Sequence, residues 1–152
     1  MNLSQVLLRP DEYDGHQIAH FWHWLLRDEF DVLHVTVFGN LVLTDQQQRI
    51  WLLDSWSGQL HGMSESYDEY KSRVATDTAF FQSWFLADLV SLLTSNGLAR
   101  AKGTVFSPLV SPGVGGSLSI ENFVIAPVRA YAAASANEAK HLQHIQGQPG
   151  EQ

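Results

Sequence analysis

A chain of 152 residues, 45% of them apolar and 11% aromatic, has the length and composition of one globular domain built on one core. Sixteen Asp and Glu against nine Lys and Arg leave a formal charge of −7, a balance that repels nucleic-acid backbones and anionic lipid and disfavours both as partners. The lack of cysteine excludes disulfides, thiolate nucleophiles and thiolate zinc sites, suits a reducing compartment, and leads to the expectation of a cytoplasmic location.

Residues 1–10 have neither a basic lead nor a long apolar run, so neither an export signal nor a membrane span is expected. Next, Ile18, Phe21, Trp22, Leu25 and Leu26 recur at i, i+3, i+4, i+7 and i+8, which predicts one helix over 11–28. Asp11, Glu12 and Asp14 suit its start, where the helix dipole favours anions, and Gly15 places the regular part just after it.

From Asp31 the pattern turns to short β-branched and aromatic runs: Val32 to Phe38, Leu41 to Thr44, Arg49 to Asp54 and Gln59 to Met63. Each reads as a strand. The separators Gly39-Asn40, 45–48 and 55–58 are too short for parallel crossovers, so the strands are expected to pair as an antiparallel meander. Ile50, Trp51, Leu52 and Leu53 are apolar on both faces, which puts their strand near the middle of the sheet.

After the sheet, Ser64 offers an N-cap for a short helix carrying Tyr67, Tyr70 and Val74. A stronger helix is predicted over 77–94, ending at Asn96-Gly97. Its residues Phe80, Phe81, Trp84, Phe85, Leu86, Leu89, Val90, Leu92 and Leu93 occupy most of its circumference. Cover on more than one side is therefore expected, from the sheet and first helix or from another chain. A short strand over 104–107, a rigid loop over 108–116, and a strand-like run in 121–134 confined to an edge or bulge by Pro127 come next. A helix over 132–145 and a disordered polar tail over 146–152 complete the expectation. The fold class is thus α+β. A meander of four to six strands packs against an N-terminal helix and a long aromatic-rich helix, in one domain over 1–145.

The sharpest chemical feature is His16, His20 and His23, which lie within about 60° of one another on the predicted helix. They suit either a zinc or nickel site or the solvated side of an amphipathic helix, and no HExxH arrangement accompanies them. His141 and His144 read as a solvated helix end. Asp88, between Trp84 and Phe85 around its helix, is either a partly buried acid or an exposed edge residue. No G-x-S-x-G elbow exists, and Pro112 to Gly116 lacks the Lys and Ser/Thr of a phosphate loop. No catalytic residue and no cofactor is assigned. Trp56, in the 55–58 turn, is either presented to a partner or packed on a neighbouring helix.

In order, Phe38-Gly39-Asn40-Leu41, the strand Arg49 to Asp54, Ser57-Gly58-Gln59-Leu60 and the helix start Ser64 to Tyr70 form a pattern, followed by Pro108-Leu109-Val110, Gly115-Gly116-Ser117 and Glu121-Asn122. This pattern resembles the C-terminal domain of bacterial immunity proteins that protect against a type VI secretion DNase toxin and, more distantly, SUKH-like immunity proteins. The resemblance spans about residues 20 to 135 and implies a compact α+β domain that acts by binding a cognate protein toxin. It implies no catalytic residues. An acidic protein is steered towards the basic groove of a nuclease, and Asp45, Trp56, Glu65, Asp68 and Glu69, around one end of the meander, are the expected contact surface. Two other readings stay open: a small metal-dependent enzyme or metal-binding protein using His16, His20 and His23, and a homodimeric scaffold whose second interface covers the aromatic helix.

Overall fold

The computed structural model describes residues 1–150, with side chains through Ile145. Its centre is an antiparallel meander in chain order: β1 (Phe30–Val35), β2 (Leu41–Asp45), β3 (Ile50–Asp54) and β4 (Gln59–Ser64). Leu41 lies opposite Leu53 and Val42 opposite Leu52, while Leu53 faces Leu60 across the next pair. β2 and β3 are the inner strands. Successive side chains point to opposite faces, and β2 is buried at every position but Thr44, so both faces of the sheet are covered.

β1 stops three residues short of its β-branched pattern because the chain turns at Thr36. The Thr36 hydroxyl accepts from the Phe38 and Asn40 N–H groups at 3.3 and 3.1 Å, and Gly39 takes a φ of 78°. Val37 and Phe38 are nevertheless fully buried, since this turn lies inside the molecule. Its backbone is satisfied by neighbours: Val37 N–H donates to Val6 O at 2.9 Å and Phe106 N–H donates to Val37 O at 2.8 Å. The first bond ties down a short helix that sequence periodicity missed, α1 (Leu3–Val6), and the second reaches a separate two-stranded sheet of β5 (Thr104–Pro108) and β6 (Phe123–Pro127). Pro127 closes β6, and α7 (Val128–Gly150) starts at once. The tail expected over 146–152 begins within that span, and Glu151 and Gln152 lie outside the described residues.

The predicted helix over 11–28 is three pieces: a 3-10 turn at Pro10–Glu12, α2 (Gly15–Phe21) and α3 (His23–Leu26). Asp14 caps α2, accepting from the His16 and Gln17 N–H groups at 3.0 and 3.2 Å. The interruption falls at Trp22, whose N–H donates to Ala19 O at 3.2 Å, a tightened turn that seats the indole wholly inside the core.

The long aromatic-rich helix expected over 77–94 is corrected to two, α5 (Thr78–Phe85) and α6 (Ala87–Ser95), separated by Leu86 in the left-handed region at φ 55° and ψ 44°. The reason is geometric. No straight helix can turn apolar residues on its whole circumference towards one core. Breaking it lets α5 bury Phe80, Phe81 and Phe85 while α6 buries Ala87, Leu89, Val90 and Leu93. Ahead of them, α4 (Tyr67–Thr76) is capped by Ser66 rather than Ser64: Ser66 Oγ accepts from Glu69 N–H at 3.1 Å, while Ser64 Oγ donates to Ser66 O. No helix among the described residues is long and apolar enough to cross a membrane.

Candidate functional site

The expected contact residues fall at opposite ends of the meander. Asp45, Glu65, Asp68 and Glu69 gather at the end formed by the β2–β3 turn and the β4–α4 junction, and Trp56 sits at the other end, in the β3–β4 turn. The surface placed around one end is therefore corrected to two surfaces. Antiparallel pairing decides this, because consecutive turns of a meander alternate ends.

At the charged end, Asp45 is almost fully buried and committed. Its Oδ1 accepts from the Gln47 and Arg49 N–H groups, both at 2.9 Å, and its Oδ2 accepts from Arg49 Nε at 2.8 Å and Trp51 Nε1 at 2.9 Å. Burial by itself pushes the Asp45 carboxyl up, but the bonds from Trp51, Arg49 and Gln47 together outweigh it and hold it below the ordinary 3.8. Asp45 thus closes the turn. Glu65, Asp68 and Glu69 are exposed; Glu69 pairs with Arg73 at 3.9 Å, and Asp68 and Glu69 lie in the first turn of α4, where the helix dipole favours them.

The opposite end is aromatic. Phe38 makes edge contacts with Trp56 at 5.7 Å and with Phe123 at 6.0 Å between ring centroids. Trp56 is half-buried, and its Nε1 is occluded with no partner among the described residues. Behind it, Ser55 Oγ donates to Asn40 Oδ1 at 2.8 Å, so in its 2.7 Å contact with Tyr131 it accepts the phenol proton. Burial, opposed by the Ser55 bond, pushes the Tyr131 phenol well above 10. Asp54 secures the turn by accepting from Trp56 N–H at 2.9 Å and Ser57 Oγ at 2.8 Å.

Over this aromatic end runs the 109–122 loop, and its geometry is fully determined. Asn122 accepts from Val110 N–H at 2.9 Å and donates to Val110 O and Ser117 O at 2.8 and 2.9 Å. Ser111 Oγ donates to Trp56 O at 3.0 Å. A methyl group at Gly116 would overlap the Val110 carbonyl, so only glycine lets the two passes of the loop approach this closely. Yet this rigid loop leaves Leu109 64%, Val110 52%, Val114 50% and Leu118 52% exposed. A cavity of about 310 Å³ opens between Leu109, Val114, Trp56, Tyr131, Glu138 and Leu142. Sequence reasoning missed these aliphatic residues, although four large apolar side chains within a Pro/Gly loop were the signal. It also missed Asn40, read as a turn residue alone, whose partner Ser55 is fifteen positions away.

His16 and His20 are exposed on α2, and His23 begins α3 with its Nε2 3.3 Å from Asp28 Oδ1. They border one open hollow of about 580 Å³ together with Asp28 and Asp31. The break at Trp22 divides the expected helix, with His16 and His20 on α2 and His23 on α3, yet the three still face one hollow. Among the described residues, no group of three or more His, Cys, Asp or Glu side chains is placed to hold a metal ion. Asp88 is exposed in the first turn of α6.

No family model matches the chain, and no curated protein matches it. Three solved chains do match. One is the crystal structure of Atu4351 from Agrobacterium tumefaciens, 12% identical with a TM-score of 0.55; the alignment covers 82% of this chain and 64% of that one. This chain therefore spans less than two thirds of that protein's length, and at such low identity the likeness speaks for the fold alone.

Proposed function

We propose that this protein is a non-enzymatic recognition domain that binds another protein and neutralises it, as an immunity protein does its cognate toxin. The observation that carries the reading is the hydrogen-bonded loop exposing Leu109, Val110 and Val114 beside Trp56, with Leu118 exposed further along it. A chain that holds four aliphatic side chains in water gains little from them in its own core, and exposed apolar groups of this kind mark interaction surfaces. The motif pattern running from Phe38 to Asn122 supports the toxin-neutralising form of the reading. A net charge of −7 supports a basic partner such as a nuclease, through faster encounter. The place of action is then the cytoplasm, where such a partner does its damage.

Co-expression with the toxin encoded by a neighbouring gene tests the proposal. The complex is expected to co-purify and the host to survive, and Leu109→Asp with Val110→Asp is expected to abolish both while leaving the thermal melt unchanged. Survival without complex formation, or protection indifferent to the loop substitutions, would overturn it. Zinc titration of tag-free protein separates the metal-dependent reading: a micromolar site removed by His20→Ala would replace the binding reading.

A further inference from the structure

Trp56 also lines a second cleft, of about 250 Å³, together with Trp84 and bordered by Asn40, Asp54, His61 and Leu86. Three features set it apart from an ordinary surface dimple.

Asn40 is 4% exposed, and its amide orientation is settled by chemistry: Oδ1 faces the Ser55 main-chain N–H at 2.9 Å, a group that can only donate. The Nδ2 hydrogens are thereby turned away from Ser55; they meet no acceptor among the described residues and, not being occluded, are open to solvent on a side chain that lines the cleft. An amide donor open to the cleft is free to bond an acceptor that enters it. Asp54, whose oxygens secure the β3–β4 turn, brings a negative charge, and no Lys or Arg lines the cleft. Leu86, a branched residue at φ 55°, forms part of the wall, and such backbone strain concentrates at binding sites.

Two indole rings beside a carboxylate, with no Lys or Arg in the lining and the His61 ring 6.4 Å from that of Trp84, match a flat positive group: it stacks on aromatic faces and pairs with the acid. The geometry points to this cleft as the pocket for an arginine side chain of the protein partner, held between Trp56 and Trp84 beside Asp54, with Asn40 donating to a carbonyl of the same segment. The −7 charge of the chain favours the same occupant. Such a pocket presupposes the protein partner proposed above, yet a free amino-acid probe tests it without one, so the two readings fail separately.

The probe is N-acetyl-L-argininamide, titrated into the full chain while the indole N–H resonances of Trp56 and Trp84 are followed by NMR. Both are expected to shift with one saturable curve. The neutral urea isostere, N-acetyl-L-citrullinamide, is expected to bind about tenfold more weakly, as is the arginine probe to Asp54→Asn, which keeps an Asx-turn acceptor, and to Trp84→Leu. Thermal melts establish that the variants are folded, and the citrulline comparison on the unaltered protein needs no variant. Equal affinity for both probes, shifts that never saturate, or undiminished binding by Asp54→Asn would each overturn the assignment.

Discussion

The two ends of the meander solve the same problem, closing a hairpin, with opposite materials. At the β2–β3 end one buried carboxylate, Asp45, accepts four N–H groups and fastens Arg49 and Trp51. At the β3–β4 end aromatic rings from three separate segments, Phe38, Trp56 and Phe123, lean on one another, and α7 closes over the turn, Gln143 donating to Gly58 O at 3.0 Å. The polar end is made from residues near in sequence. The apolar end is made from residues far apart, and it carries the exposed loop and the two-tryptophan cleft. Both ends leave hollows, about 260 Å³ between Arg49, Trp51, Glu65 and Glu69 and about 250 Å³ between Trp56 and Trp84, but only at the aromatic end do the walls come from segments far apart in the chain, and that is where the proposed partner fits.

This contrast breaks most severely at Gly39, where φ is 78° and a methyl group would collide with the Tyr131 ring. Gly39→Ala is expected to cost about 3 kcal/mol in urea denaturation, from overpacking plus left-handed strain. A loss under a third of that would mean the apolar end yields easily.

At the charged end Asp45→Asn replaces an acceptor by an NH2 group facing Arg49 or Trp51, and is expected to cost about 2 kcal/mol. The pH dependence has a definite sign. Because the folded Asp45 carboxyl lies below 3.8, its stabilisation is complete above that value and is lost as pH falls through the folded pKa. The Trp51 indole N–H resonance should accordingly titrate below pH 3.8, with Trp56 unmoved; a joint shift of the two would show that the ends are not independent.

Tyr131→Phe removes the phenol bond to Ser55 and is expected to cost about 1 kcal/mol. With the folded phenol held above 10, the unfolded chain ionises first, so stability is complete below pH 10 and declines as pH rises beyond it. Tyr131→Phe should lessen that alkaline decline, measured by thermal melts across the range. The smallest effect belongs to the exposed acids: Glu65→Gln with Asp68→Asn should alter stability by less than about 0.5 kcal/mol. A basic partner that docks on this end would still associate more slowly, whereas an unchanged on-rate would assign docking to the apolar end alone.

The meander was legible because its strands carry β-branched and aromatic runs separated by turns too short for any crossover. The central position of the Ile50–Asp54 strand was likewise readable from its two apolar faces. Of the contact residues, Glu65, Asp68 and Glu69 stand exposed, as a solvated helix start predicts. Asp45 misled, and Trp56 is half-buried rather than presented outright, because the partners of a turn residue cannot be seen in its own stretch of chain. Those partners were Trp51 across the hairpin for Asp45, and Phe38 and Phe123 for Trp56.

Local patterning and charge, then, determined the α+β class, the strand order and the acidic character, all of which depend on neighbours within a few residues. Tertiary structure decided where two helices break, at Trp22 and Leu86, and which turns become interior. It also decided that Asn40, Ser55 and Tyr131 form one bonded group and that two tryptophans flank a cleft. Breaks and clefts arise when distant segments compete for the same buried volume, and no single stretch of chain carries that competition.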